Sequence, residues 1–296
     1  MREASMSISR FNKFLNYPAA TILPVGEHLF KFRRAQLGVD GLKKFYKTQD
    51  LALRAANEIA NIIKPGMTEL EGAALLDTYL KDHGVNAFVH YSFAWFGNRT
   101  RFDHCKKYKD LMPSRKIIEE GDVFILDTAP VLKGAPADIG LSFCLGENKE
   151  FQNSMNQLEK IKKKIPSLFE LNCSSGKKIY EWINQLIERS GHDSIHQLYP
   201  FGVLAHRLYD VPFSNLPGLL KPFTWQAYWS LLSRGFYSET ISGNRNLSLD
   251  GIWAVEPHLG AKGFGVKFEE MLFVHNGKAR WISKMDDLKD SELIDE

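Results

Sequence analysis

The stretch that decides the fold is "GDVFILDTAPVLKGAPADIGLSFCLGEN", Gly121–Asn148. It reads as two apolar strands joined by a Lys-Gly turn, and each strand carries one aspartate, Asp127 and Asp138. A turn centred on Leu132-Lys133 pairs residues whose numbers total 265, which sets Asp127 directly opposite Asp138 on one face. Facing carboxylates repel, and withdrawal from water pushes at least one pKa upward. A divalent cation held between them offsets that repulsion without protonating either group. The alternative is a solvated face on which a slightly different register keeps the two apart.

Outward from the hairpin, the strand-rich last third supplies further donors. Glu256 ends the apolar run "IWAVEP", and Glu269 and Glu270 lie in "GVKFEEMLFV", where alternation turns only one of them inward. His206 follows another apolar run in "FGVLAHRLYD". Four carboxylates and one imidazole form a hard, oxygen-rich set suited to Mn, Co, Fe or Zn. Bridging carboxylates hold two such ions about 3.5–4 Å apart. One or two divalent ions are therefore the expected cofactor.

The bulk composition is that of an ordinary globular chain. Across 296 residues, 44% are hydrophobic and 25% charged, enough for a large core. The 38 basic and 35 acidic residues nearly balance, which argues against a nucleic-acid partner. Cys105, Cys144 and Cys173 are too few and too far apart for a disulfide framework or a CxxC zinc site. The N-terminal "MREASMSISRFNKF" lacks a signal-like apolar core, and no run is long and apolar enough to span a membrane. A cytoplasmic chain is the resulting expectation.

The segments around the hairpin repeat a pattern. Residues 1–44 read as an irregular arm, broken by Pro18 and Pro24, that leads into a short helix. Leu51, Ala55, Ile59 and Ile62 then recur at helical spacing, and Pro65-Gly66 ends that helix. Thr68 and Glu71 form a capping box opening a second helix, and "AFVHYSFAWFG" reads as a strand. A second helix pair follows in "EFQNSMNQLEKIKKKIPSLFELN" and "SGKKIYEWINQLIERSG", with Ser175 as cap and the lysine run as a solvated face. Two helix pairs, each followed by strands, predict one α+β domain with approximate internal two-fold character.

In this order, Asp127, Asp138, His206, the "EP" at Glu256 and the "VKFEE" at Glu269 resemble the five-ligand signature of metallopeptidase family M24. That family comprises methionine aminopeptidase, aminopeptidase P and creatinase. The resemblance extends to "ANEIANIIKPGMTELEGAALL" and to "WFGNRTRFDHCKK", whose His104 falls where the family has a histidine. It implies the pita-bread fold: a curved antiparallel sheet, outer helices and pseudo-two-fold halves. The implied domain covers residues 45–285, between the arm at 1–44 and a C-terminal tail at 286–296. Asp127 would chelate one ion, Asp138 and Glu269 would bridge both, and His206 and Glu256 would complete the shell of the second ion. The family pattern selects Glu269 over Glu270. A metal-bridging hydroxide would attack a scissile carbonyl, Glu256 relaying the proton and His104 stabilising the tetrahedral intermediate. Such an enzyme would be an aminopeptidase or Xaa-Pro peptidase acting on small peptides, and a homodimer is common among its relatives.

Three departures bear on substrate. Phe213 stands where peptidase members carry a second active-site histidine, with His258 as the candidate replacement beside the pocket. Arg207 and Tyr209 replace small residues near His206, and "IGLSF" lacks the arginine that commonly follows the second aspartate. An aromatic insertion, Phe223 to Tyr237, forms either a lid or an outer helix. These departures keep two other readings open: a creatinase-like or lyase-like enzyme for a non-peptide small molecule, and a non-catalytic binding module. His90 reads as a core histidine, with a place lining the pocket as the alternative, and His192 with His196 as a polar turn, or as a metal-capping pair if helical.

Overall fold

The computed structural model describes residues 39–105, 108–171, 175–199, 202–210, 239–242 and 249–283. Phe213, the aromatic segment Phe223–Tyr237, most of the arm and the C-terminal tail lie outside the described residues.

Helix α1 (Val39–Ile62) buries Leu51, Ala55 and Ile59, as the spacing predicts. The next buried position is Ile63, while Ile62 is 51% exposed, because the stripe advances by four residues at that turn. Helix α2 (Glu69–Asp82) opens with the predicted capping box: Thr68 N–H donates to Glu71 Oε2 at 2.7 Å and Glu71 N–H to Thr68 Oγ1 at 3.3 Å. Strand β1 (Ala87–Phe96) follows, then β2 (Val123–Leu132), β3 (Ala135–Pro136) and β4 (Ile139–Cys144). The second pair is α3 (Lys149–Leu171) and α4 (Gly176–Arg189), the latter capped by Ser175, whose side chain accepts from Lys178 N–H. The remaining strands are β5 (Asp193–Ser194), β6 (Ala205–Leu208), β7 (Thr240–Ile241), β8 (Gly251–Val255), β9 (His258–Gly260), β10 (Gly265–His275) and β11 (Lys278–Trp281).

The main path of the sheet runs β1-β2-β4-β10-β8-β6-β7, with every described pairing antiparallel. It has two halves. Helices α1 and α2 pack on β1, β2 and β4 through Ala55, Leu76, Phe96 and Phe124. Helices α3 and α4 pack on β6, β8 and β10 through Ile161, Ile183, Trp253 and Leu272. The halves meet where β4 pairs with β10, Gly140 opposite Glu269. Ser142 pins that seam: its hydroxyl accepts from Lys267 N–H and donates to Lys267 C=O, each at 2.8 Å.

The central hairpin departs from the expected register. Its turn is Lys133-Gly134, both with positive φ (50° and 84°), the geometry of a two-residue type I′ connection. The turn therefore lies one residue later than Leu132-Lys133. Asp127 pairs with Gly140, and Thr128 with Ile139, so Asp138 is not directly opposite Asp127. Because the displacement is two positions in the pairing, both aspartates still reach the same face.

Candidate metal centre

Strand alternation sorts the donors by face. In β10, Phe268 and Leu272 join the core under α3 and α4, while Lys267 and Glu269 point to the opposite face. Glu270 turns to the helix side and pairs with Lys162 of α3. Lys162 also lies 5.0 Å over the Phe268 ring, so this member of the lysine run is packed rather than solvated. In β6, His206 faces inward and Arg207 outward. The Arg207 guanidinium is buried 4.3 Å over the Trp253 ring and its Nε lies 2.8 Å from Glu239 Oε2. Arg207 therefore fills the core behind the sheet and does not narrow a substrate path beside His206.

Asp127, Asp138, His206, Glu256 and Glu269 converge on the inner face. His206 Nε2 lies 3.1 Å from Asp138 Oδ2 and 3.8 Å from Glu269 Oε1. A second imidazole joins them: His90 Nε2 is 3.1 Å from Asp138 Oδ1 and 3.6 Å from Asp127 Oδ1. His90 is thus a member of the centre rather than a core histidine. Regular alternation from Phe93, which pairs with Asp127, would turn Tyr91 inward. The β1–β2 register shifts between His90 and Phe93. That bulge aims His90 at the carboxylates and leaves Tyr91 37% exposed.

Lys267 is the other residue that the sequence reading left out. Its ammonium donates to Asp127 Oδ2 at 2.7 Å, Glu269 Oε2 at 2.8 Å and Glu256 Oε2 at 2.9 Å. The side chain is 2% exposed, so three buried carboxyl groups share one buried ammonium. Gly140 makes room for it: a Cβ there would meet Lys267 Cε at 2.6 Å and Asp127 Oδ2 at 3.0 Å. The period-two spacing of Lys267 and Glu269 was the available signal.

These contacts set the protonation of the metal-free centre. Burial opposes charge on His90, but Asp138 and Asp127 outweigh it and hold the imidazole up at about 9. Burial would also raise Asp138, yet His90 and His206 hold it well below the usual carboxylate range. Burial, tempered by Lys267, raises Asp127 to about 6. Burial and the neighbouring Glu269 push Glu256 up to about 8.

The other predicted residues take separate places. His104 is exposed on the loop after β1, where its Nε2 accepts from Arg99 Nη1 at 2.8 Å. Arg99 is itself locked to the fully buried Glu69, Nε to Oε1 at 2.8 Å and to Oε2 at 2.9 Å. His258 is fully buried in β9, its Nδ1 2.8 Å from Tyr199 Oη. Beside the centre runs an aromatic wall: Phe93 stacks on Trp95 at 5.0 Å, Trp95 meets Phe102 at 4.8 Å, and Phe102 meets Tyr199 at 5.4 Å. Its ends touch the charged cluster, His90 against Phe93 and Lys267 over Tyr199.

His192 and His196 are structural. His192 bonds Ser154 and Ser190, while fully buried His196 donates from Nε2 to Asn184 Oδ1 at 2.8 Å. Burial lowers His196 from an ordinary 6.5 to about 3. The unfolded chain therefore binds a proton there that the folded chain refuses. Stability is expected to fall as pH drops from about 6.5 towards 3, by up to about 1.4 kcal/mol per pH unit. Urea melts of wild type and His196→Gln between pH 6.5 and 4 check this; the variant should show the shallower dependence.

The donor set fits a divalent transition ion. Two imidazoles and several carboxylate oxygens lie within ligand-to-ligand reach of one another, and His90, Asp127, Asp138 and Asp138, His206, Glu269 form two overlapping triads. Fold and site together define a protein built around a buried, oxygen-rich cation centre at the seam of a two-halved antiparallel sheet. A family model, Metallopeptidase family M24, matches residues 43–276, and the chain belongs to that family.

Among curated proteins, the uncharacterized peptidase YqhT of Bacillus subtilis is 27% identical over 128 residues, 43% of this chain and 34% of that protein. Among solved structures, prolidase from Pyrococcus furiosus is similar with a TM-score of 0.63 at 18% identity, covering 88% of this chain and 67% of that one. X-Pro aminopeptidase from Thermotoga maritima gives 0.61 at 19% identity, with 82% and 60% covered. Methionine aminopeptidase from the same organism gives 0.57 at 14%, with 82% and 96% covered. These likenesses show the pita-bread fold. The chain spans about a third of the curated relative's length and 60% of that X-Pro aminopeptidase. Among the described residues, no helix is long and apolar enough to cross a membrane.

Proposed function

We infer that the chain is a metal-dependent hydrolase of small peptides, of the aminopeptidase or Xaa-Pro peptidase type. The observation that carries this reading is the convergence of Asp127, Asp138, His206, Glu256 and Glu269 on one buried face in a chain of metallopeptidase family M24. Two of the similar structures bear the names prolidase and X-Pro aminopeptidase, which supports choosing peptides with proline after the first residue as the first substrates to test.

A bound divalent ion supplies Lewis-acid polarisation of the scissile carbonyl and a nucleophile at neutral pH. The chain's own residues do the rest. Asp127, Asp138, His206 and Glu269 hold the ion, with His90 as a further donor from the bulged strand. Glu256, whose carboxyl is pushed up by burial and the neighbouring Glu269, is the group assigned to relay a proton to the leaving amine. The wall of Phe93, Trp95, Phe102 and Tyr199 offers an apolar flank for a proline ring and excludes water from the reacting carbonyl. His104, hydrogen-bonded to Arg99 of the Arg99–Glu69 pair, is the residue that the family resemblance assigns to the developing oxyanion.

The test is a substrate panel with the Mn(II)-loaded full chain: Xaa-Pro dipeptides, tripeptides with proline second, and methionyl peptides. Release of the N-terminal residue from proline-containing members is expected to exceed that from methionyl peptides by at least 10-fold. No turnover of any peptide while the ion is bound would overturn the peptide reading and favour a non-peptide small molecule.

A further inference from the structure

The centre holds an ammonium of its own, and its position relative to the imidazoles is informative. The carboxylate oxygens divide into two sets. Asp127 Oδ2, Glu256 Oε2 and Glu269 Oε2 all accept from Lys267 Nζ, at 2.7, 2.9 and 2.8 Å. Asp127 Oδ1, Glu269 Oε1 and both oxygens of Asp138 face the imidazoles of His90 and His206, at separations of 3.1 to 3.8 Å. Donor atoms sharing one ion with bonds of about 2.1 Å sit about 3.0–3.4 Å apart, so Asp138 and its two imidazoles, at 3.1 Å, are already spaced for an ion, with Asp127 Oδ1 and Glu269 Oε1 a few tenths of an ångström farther out. The first set is spaced for an ammonium.

Lys267 is held in its place from several directions. Its stem runs through the gap left by Gly140, its Nζ lies 5.5 Å over the Tyr199 ring, and its backbone is fixed at both N–H and C=O by the Ser142 hydroxyl. A divalent ion approaching the same three oxygens from that side, at about 2.0–2.2 Å from each, would overlap the nitrogen. Rotation of the lysine out of the way is opposed by burial, since the departing ammonium would give up three carboxylates while still inside the protein.

We propose that Lys267 is a resident cation that replaces one of two metal ions, so that the chain holds a single divalent ion, on the His90, Asp138 and His206 side of the centre. The proposal deepens the metallohydrolase reading above and rests on it. Its consequence is a specialised centre in which one ion activates and a fixed positive charge binds and neutralises the carboxylates that a second ion would otherwise bridge.

The experiment is metal stoichiometry of the full chain. Wild type and Lys267→Met are dialysed against Mn(II) or Zn(II), desalted and measured by inductively coupled plasma mass spectrometry, with isothermal titration as an independent count. One ion per chain in wild type and two in folded Lys267→Met is the expected result. Two ions in wild type would overturn the proposal while leaving the metallohydrolase reading intact, and this arm stands even if the variant fails to fold. One ion in both folded proteins would show that the ammonium does not exclude an ion, and overturns the proposal. No ion in wild type would overturn the metallohydrolase reading itself.

Discussion

Asp138→Asn is expected to weaken divalent-ion binding by more than about 100-fold and to lower kcat/KM on a proline-containing peptide by about 1000-fold. Asp138 is the hub of the centre, one oxygen 3.1 Å from His90 Nε2 and the other 3.1 Å from His206 Nε2. Loss of residues that merely orient metal ligands costs 10–100-fold in affinity, so loss of a shared donor costs more. Asparagine keeps the shape and one carbonyl acceptor, but its amide nitrogen presents protons to one imidazole and its charge is gone. The strand pairing around it depends on backbone groups, so the fold should persist. Ion content by mass spectrometry and thermal unfolding, measured on the same preparations, check both halves. Unchanged ion content in a folded variant would remove Asp138 from the ligand set.

Glu69→Ala is expected to cost about 3–5 kcal/mol of stability, the largest effect of a single change away from the centre. The Glu69 carboxylate is fully buried and satisfies five donor contacts. These come from Phe96 N–H at 2.9 Å, Arg99 Nε to both oxygens, Ser114 N–H at 2.8 Å and Ser114 Oγ at 2.6 Å. Together they tie the start of α2 to the end of β1 and to the loop that carries His104. Removal takes the carboxylate from a guanidinium with 17% exposure, leaves it to His104 and the carbonyls of Asp110 and Met112, and unpairs the amides of Phe96 and Ser114. Urea denaturation checks the stability. If Arg99 also orients His104, kcat should fall in the fraction that stays folded, while ion content is retained.

Much of this architecture was legible because it rests on short-range chemistry. The Thr68–Glu71 capping box and the helical stripe of Leu51, Ala55 and Ile59 are local statements, and each formed as read. The alternation of β10 likewise predicts that only one of Glu269 and Glu270 faces inward, and the Lys162–Glu270 pair takes the other. The hairpin register was less legible. Leu132-Lys133 and Lys133-Gly134 turns differ by one residue in sequence, yet they shift every cross-strand partner by two. The decision lies in the positive φ that Lys133 adopts beside Gly134.

The centre was half legible for similar reasons. Five donors sit at ends or inner positions of apolar strands, which is visible in the sequence. His90 was hidden because its inward aim comes from a bulge, and a bulge reverses the face that alternation assigns. Lys267 was legible in principle: it shares the face of Glu269 by period two, and a lysine in a wholly buried strand requires acid partners. Gly140 became meaningful only once Lys267 was seen to pass over it. Arg207, read as a bulky residue on the substrate's approach to His206, instead points away from it, because the residue after an inward histidine faces the other side of the strand, here onto Trp253.

The most direct test of the account is hydrolysis of alanyl-proline by the full chain, compared after Mn(II) loading and after chelation with EDTA. The account predicts release of free proline by the loaded protein, its loss to background on chelation, and recovery when Mn(II) is restored. Equal hydrolysis in the stripped protein, or none in a protein shown to hold its ion, would contradict it.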